Sequence, residues 1–153
     1  MITIESKYDF PVALIEGAAL SVLKHQKESL EVNLSVVLTD SRRLRTLNWD
    51  YLGIDAPTDV LSFPASESDG SETDPETGAR YIGDILISIP RAQAQAEAAG
   101  HPFESEMQLL VVHGVLHLIG HDHAEAEEKS RMWKAQAEIL KKLGLGQIQI
   151  REE

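Results

Sequence analysis

The sequence predicts one compact domain that combines α-helices with a few β-strands. Its 153 residues fall within the usual size of a single domain and are enough to bury a hydrophobic core. Short runs in which apolar and polar residues alternate are separated by longer runs in which apolar residues recur at helical spacing. No internal repeat or interdomain linker divides the chain. We therefore expect residues 1–153 to form one domain.

The first third of the chain predicts two strands, each followed by a helix. Residues 2–5 are suited to a short strand, and residues 12–23 have apolar side chains at helical spacing. Apolar and polar side chains alternate over residues 32–38, which predicts the second strand. Asp40, or the serine that follows it, can cap a second helix over residues 41–52.

Two β-rich runs flank the most acidic part of the sequence. The runs are TDVLSFP at residues 58–64 and YIGDILIS at residues 81–88. Between them, residues 66–78 read SESDGSETDPETG, a polar segment rich in turn-forming residues, which we interpret as a solvated loop. Strands joined by such a loop are expected to pair as antiparallel neighbours.

The last third of the chain predicts three helices. The first spans residues 90–100, because Pro90 suits the first turn of a helix and Gly100 suits its end. The second, over residues 104–120, is apolar, whereas the third, over residues 124–144, is amphipathic and closes the domain.

Composition restricts both the class of protein and the kind of metal site. No apolar run approaches the roughly 20 residues that cross a bilayer, and the first residues lack the layout of a signal peptide, so we expect a cytoplasmic protein without a membrane partner. The chain has no cysteine, so a transition metal would have to be bound by histidine and carboxylate. The net charge of −11 argues against a nucleic-acid partner. The argument is weakened because the charge is unevenly distributed: nine acidic and only two basic residues lie within 51–100.

A cluster of histidines in HGVLHLIGHDH, residues 113–123, predicts a zinc site. His113, His117 and His123, with Gly120 before the last, have the H-x-x-x-H-x-x-G-x-x-H spacing of metzincin proteases. Side chains four residues apart on a helix lie about 5–6 Å apart, so the first two imidazoles can bind one ion. A glycine at 120 lets the chain leave the helix through a left-handed residue. Three histidines and one open position are typical of a catalytic zinc site, here at the end of the apolar helix.

The other polar residues near this motif allow alternatives. A histidine-rich helix end with ordinary packing roles is the alternative interpretation of the cluster, but three histidines at this spacing around a glycine favour a metal site. His25 and His101 lie in polar segments, where we expect them to be solvated. His121 could compete with His123 as the third ligand, but His123 preserves the spacing. Asp122 is a candidate hydrogen-bond acceptor for a metal-bound imidazole.

Three segments resemble the YbeY family of zinc-dependent endoribonucleases: residues 47–64, LNWDYLGIDAPTDVLSFP; residues 82–88, IGDILIS; and residues 113–123. The resemblance covers nearly the whole chain. It implies an α+β fold in which a small mixed sheet packs against about five helices. It also implies one zinc per chain, held by His113, His117 and His123. The implied activity is cleavage of single-stranded RNA in maturation of the small-subunit ribosomal RNA 3′ end and in ribosome quality control. Small-subunit ribosomal proteins and an assembly GTPase are the further partners that it suggests.

The chain departs from the family pattern at two positions. His121 stands where the family usually has tyrosine, and Leu52 stands where it commonly has an arginine that is held to be important for activity. A guanidinium could bind phosphate through two hydrogen bonds and stabilise negative charge, which leucine cannot do. Arg42, Arg43 and Arg45 lie earlier on the same predicted helix. Such residues usually form a solvated face, but Arg45 could contribute to an RNA-binding surface.

Gly114 occupies the position at which metzincins have their catalytic glutamate. Amide hydrolysis needs that group to move a proton from water to the leaving amine, so proteolysis is disfavoured. RNA has its own nucleophile in the 2′-hydroxyl, or can be attacked by water that zinc activates. Its cleavage therefore depends less on a basic side chain of the protein. Gly114 could leave space for a phosphodiester beside the metal, or could allow close helix packing. We leave both explanations open.

The residues alone support only a metal-dependent hydrolase, and three functions compete. The first is the endoribonuclease that the resemblance implies, for which Asp84 is a further catalytic candidate that could orient a ligand or water. Asp84 could equally be a structural hydrogen-bond acceptor in a turn or strand. The second is a metzincin-like peptidase, which Gly114 disfavours. The third is a non-catalytic ribosome-assembly factor with a structural zinc, which Leu52 favours.

Overall fold

A four-stranded sheet forms the centre of the fold. The computed structural model describes residues 2–6, 8–28, 31–53, 58–65, 80–121, 125–146 and 148. The strands are β1 (Ile2–Ser6), β2 (Val32–Thr39), β3 (Val60–Pro64) and β4 (Arg80–Ser88). The helices are α1 (Val12–His25), α2 (Ser41–Leu52), α3 (Ile89–Ala99), α4 (Phe103–Leu118) and α5 (Ala126–Lys142). Each predicted element is present within two residues of its predicted bounds. The predicted loop at 66–78 lies outside the described residues.

The sheet is mixed, as the family resemblance implies. Its strand order is β1-β2-β4-β3, in which β1 pairs with β2 and β2 with β4 in parallel. The edge strand β3 is antiparallel to β4, which confirms the pairing predicted for the two β-rich runs. With five helices in the part of the chain described, the fold is the expected single α+β domain.

The two faces of the sheet carry different helices. Leu34 and Val36 of β2 and Ile85 of β4 belong to the large core that the sheet shares with α1, α4 and α5. The opposite face presents Leu86 to Leu44 of α2 in a second, smaller apolar cluster. Because successive strand residues point to opposite faces, the alternation in β2 directs its apolar even-numbered residues to the larger core.

Helix α4 is the central helix of the larger layer. Most of its 16 residues are buried, including the charged residue Glu106. His101, in the turn before α4, pairs with this carboxylate at an Nε2–Oε1 distance of 3.0 Å. The expectation that His101 is solvated is therefore wrong, because a buried carboxylate needs a polar partner. No helix among the described segments, α4 included, combines the length and the apolar character that crossing a membrane requires.

Two glycines allow α4 to lie close to the sheet. A Cβ atom at Gly114 would be 2.9 Å from Cγ2 of Ile85, so this position packs directly against β4. Gly83 has a φ of +140°, and a Cβ there would lie 2.7 Å from Leu118 Cδ2 and 2.4 Å from the Phe63 carbonyl oxygen. Close packing thus explains the glycine at 114, whereas the alternative that it leaves space for a substrate is wrong.

Gly114→Ala tests this packing. We expect it to lower the free energy of unfolding by about 1–3 kcal/mol, since the added methyl group is forced against the β-branched side chain of Ile85, which is fully buried. The loss should occur even though alanine favours a helix by about 1 kcal/mol over glycine. Urea unfolding followed by circular dichroism measures the change.

Two controls separate packing from helix propensity. Gly17→Ala in α1 meets nothing within 4 Å and should stabilise the protein. In an Ile85→Ala background, which removes the contacting atoms, Gly114→Ala should be neutral or stabilising. An equal loss in both backgrounds would show that Ile85 is not the obstacle.

Candidate metal centre

His113 and His117 direct their imidazoles at a common point. They lie one turn apart on α4, and their Nε2 atoms are 3.2 Å from each other. The ring centroids are 4.7 Å apart and the planes are inclined by 72°. Both residues are partly exposed on a helix that is otherwise largely buried, so the two nitrogens are accessible at the rim of the core.

The separation of these nitrogens fits zinc. Two imidazole nitrogens at 2.0–2.1 Å from one ion, with a tetrahedral angle between them, lie roughly 3.3–3.4 Å apart. The observed 3.2 Å agrees with that spacing without any movement of the helix. Neutral imidazole is also the ligand type expected of a cysteine-free zinc site.

Gln136 holds the ring of His113 from the opposite side. This buried residue of α5 places its Oε1 atom 3.0 Å from His113 Nδ1. An amide oxygen only accepts hydrogen bonds, so the bond assigns the proton to Nδ1 and leaves the lone pair of Nε2 for a metal. Sequence reasoning missed Gln136, although a glutamine within the apolar stripe of an amphipathic helix was an available signal.

Trp133, one turn before Gln136 on α5, forms the adjacent wall of the site. Its ring centroid lies 5.8 Å from that of His113, with the planes inclined by 60°. An indole in this edge-to-face arrangement restricts the rotation of the imidazole and shields it from water. Helix α5 therefore restrains His113 by both a hydrogen bond and an aromatic contact.

The chain leaves α4 at Gly120, as expected from the sequence. Gly120 has a φ of +107°, and the His121 amide donates to the Leu116 carbonyl oxygen at 3.0 Å. Asp122 and His123 lie outside the described residues. Within the described residues, no third histidine or carboxylate joins His113 and His117 in a metal-binding group.

His121 takes part in a chain of hydrogen bonds that leads away from the histidine pair. Its Nε2 atom lies 2.7 Å from Gln26 Oε1, next to the end of α1. Gln26 Nε2 lies 2.8 Å from His25 Nδ1, and His25 Nε2 lies 2.7 Å from Glu138 Oε2 on α5. His25 is therefore not the solvated residue that its sequence context predicted. We call these four residues the polar chain.

The two ends of the polar chain, His121 and Glu138, favour different charge states. Burial lowers the pKa of His121 below its ordinary value, and electrostatic interactions with Arg131 and His25 lower it further, which favours a neutral imidazole. The hydrogen bond from His25 is the main cause that lowers the pKa of Glu138, which favours its carboxylate form. A neutral His121 can still donate its Nε2 hydrogen to Gln26.

Asp84 is not near the histidine pair. It lies on the face of the sheet that α2 covers, where Tyr81 donates its hydroxyl hydrogen to the carboxylate. Asp84 and Arg43 line an open groove of about 450 Å³ on that face. This position suits the structural interpretation of Asp84, and we do not include it in the candidate metal centre.

The remaining sequence candidates lie on α2. Arg42 and Arg45 are exposed. Helix α2 ends at Leu52, and Gly53 caps it with a φ of +68°. The Leu52 side chain lies outside the described part of the structure.

The chain is similar to known proteins in both sequence and fold. The family model described as Endoribonuclease YbeY matches residues 3–144. The Endoribonuclease YbeY of Geobacillus kaustophilus is 47% identical over 135 residues, covering 86% of this chain and 83% of that protein. The Endoribonuclease YbeY of Acetivibrio thermocellus is 40% identical over 139 residues, covering 86% of each.

A solved structure agrees with these matches. The solution structure of TM1509 from Thermotoga maritima has a TM-score of 0.59 and 26% sequence identity. The alignment covers 99% of this chain and 97% of that chain. The family match over most of the sequence, the relatives above 40% identity and the shared fold lead to one assignment: the chain belongs to the YbeY family of endoribonucleases.

Proposed function

We propose that this chain is a zinc-dependent, single-strand-specific endoribonuclease of the cytoplasm that acts in small-subunit ribosomal RNA maturation and ribosome quality control. As a YbeY family member it is an endoribonuclease, a hydrolase of phosphodiester bonds. The observation that carries the zinc dependence is the 3.2 Å separation of the His113 and His117 Nε2 atoms. Small-subunit ribosomal proteins and an assembly GTPase are further partners that we propose from the family resemblance.

The proposed centre consists of three histidine ligands and two restraining residues. His113, His117 and His123 would hold one zinc per chain, leaving one position open. When bound, zinc would act as a Lewis acid that polarises a phosphoryl oxygen and activates water. Gln136 would keep the His113 lone pair directed at the metal, while Trp133 would exclude water beside it.

The proton chemistry of the site favours RNA over peptide. Gly114 supplies no base, and its neighbourhood is filled by Ile85, so no carboxylate could be accommodated there without disrupting the core. Phosphodiester cleavage can use the 2′-hydroxyl of the substrate as its nucleophile and does not require a proton to be delivered to an amine. This contrast supports a nuclease.

A comparison of substrates tests the proposed activity. Purified chain is incubated with labelled single-stranded RNA, the matching duplex and casein, each with zinc and with chelator. We expect chelator-sensitive cleavage of single-stranded RNA alone. Cleavage of casein would support a peptidase, whereas cleavage of neither polymer at full zinc occupancy would support a non-catalytic assembly factor.

Substitution of each ligand tests the metal centre separately from activity. Elemental analysis should find about one zinc in the wild-type chain. His113→Ala, His117→Ala and His123→Ala should each lower that content, whereas His25→Ala, outside the proposed ligand set, should retain it. A folded variant of the first group with unchanged zinc would remove its residue from the ligand set.

Gln136→Leu tests the restraint on His113. Loss of the amide oxygen should weaken zinc binding by about 10- to 100-fold, because the imidazole loses the hydrogen bond that orients its ring. Competition with a chromophoric chelator measures the affinity. Gln136→Glu, which keeps an acceptor, should bind more tightly than Gln136→Leu, and Gln93→Leu on the exposed side of α3 is the matched control. Equal affinity of Gln136→Leu and wild type would contradict the role of Gln136.

A further inference from the structure

The exposed side of α2 carries a tryptophan that belongs to neither hydrophobic core. The Trp49 side chain is 59% exposed, which is unusual for the residue type with the largest apolar surface. Val12 and Leu20 are the other exposed large apolar residues in the part of the chain described, and both lie on α1, which contains no arginine. Trp49 differs from them in its charged surroundings.

Two arginines share the helix face of Trp49. At 3.6 residues per turn, positions 42, 45 and 49 fall within about 60° of one another around the axis of α2. Arg42, Arg45 and Trp49 are all exposed, so they form one stripe that we call the Arg-Trp stripe. The opposite side of the helix contributes Leu44 and Leu47 to the smaller core, so packing of α2 does not depend on the stripe.

The charge of the stripe is opposite to that of the whole protein. Residues 41–49 contain three arginines and no acidic residue, whereas the chain has a net charge of −11. Local clusters of basic side chains supply most of a protein's affinity for a polyanion, and the release of counterions makes that affinity depend on the salt concentration. An acidic protein partner would be attracted too, but the family activity makes RNA the polyanion that this chain has to bind.

We propose that the Arg-Trp stripe binds single-stranded RNA, with a base stacked on Trp49 and adjacent phosphates on Arg42 and Arg45. This inference rests on the proposed action on single-stranded RNA. Exposed aromatic side chains beside basic residues are the common device by which proteins hold unpaired bases without sequence preference. A paired base presents no free face, so the stripe discriminates against duplex.

The stripe and the metal centre are separate surfaces, because α2 and α4 cover opposite faces of the sheet. Strand β3 packs against α2 through Leu61, and its Ser62 hydroxyl donates to the Gly114 carbonyl oxygen of α4 at 3.4 Å. The edge strand β3 therefore contacts both helices. A strand of RNA held there would be bound outside the metal centre.

The two tryptophans of the chain allow stacking to be observed directly. Trp133→Phe leaves Trp49 as the single indole, whose fluorescence is titrated with an RNA of about 12 nucleotides. The 2′-hydroxyls are methylated to remove the internal nucleophile, and the RNA is checked for integrity afterwards. We expect quenching by single-stranded RNA and little quenching by the duplex or by polyphosphate. No quenching by single-stranded RNA would overturn the proposal.

Affinity variants of the otherwise native chain, with zinc present, provide the second test. Trp49→Ala should weaken binding about tenfold, whereas Trp49→Phe should retain most of the affinity. Arg42→Gln with Arg45→Gln should reduce the slope of log affinity against log salt by about 1.4 or less, since each phosphate contact contributes about 0.7. The matched control, Lys141→Gln with Lys142→Gln at the end of α5, removes the same charge elsewhere.

The outcomes separate this surface from the nuclease function. Cleavage of unmodified single-stranded RNA by the wild-type chain, with unchanged binding by Trp49→Ala, would overturn the stripe and leave the proposed function standing. An equal loss of affinity in the lysine control would also overturn it, because binding would then follow net charge alone. A wild-type chain that neither binds nor cleaves RNA would overturn both.

Discussion

The close approach of α4 to β4 is the constraint on which the rest of the structure depends. Gly114 lies against Ile85, and Gly83 accepts the end of α4 at Leu118, so the helix is held at both points. Because His113 and His117 directly precede these two contact residues on α4, the packing of the helix determines their position relative to the sheet. The spacing of the His113 and His117 side chains thus follows from the packing of the core.

Helix α5 fixes the ring orientation of His113, which α4 alone cannot do. Two imidazoles one turn apart retain freedom about χ2, and an apolar helix has no polar group with which to restrict it. Gln136 and Trp133 remove that freedom for His113 from a separate element, which requires α5 to be docked before the site is formed. A metal at this centre would therefore bind only the folded chain, and its binding free energy would add to folding stability.

Spacing in the sequence was sufficient to predict the helices, the strands and the pair of histidines that converge. It was insufficient for Gln136, since a buried hydrogen bond between helices depends on how they dock. His25 looked solvated because local polarity says nothing of a carboxylate as distant in sequence as Glu138. His101 looked solvated because its neighbour Glu106 becomes buried only when α4 packs into the core. The face of Asp84 could not be predicted either, because an irregularity in the pairing of β2 with β4 between Asn33 and Leu34 changes the alternation.

The polar chain has a direction, and its carboxylate end determines it. Glu138 can only accept, so His25 donates to it through Nε2 and, when neutral, offers Nδ1 as an acceptor to the amide of Gln26. Gln26 must then turn its oxygen to His121, which donates through Nε2. One acidic side chain on α5 thereby selects the amide orientation of Gln26 and the tautomer of a residue two positions from His123. Turning the Gln26 amide round would place its oxygen against His25 Nδ1, and the ring would then need a second proton. The polar chain therefore behaves as a single unit with one direction of hydrogen bonding.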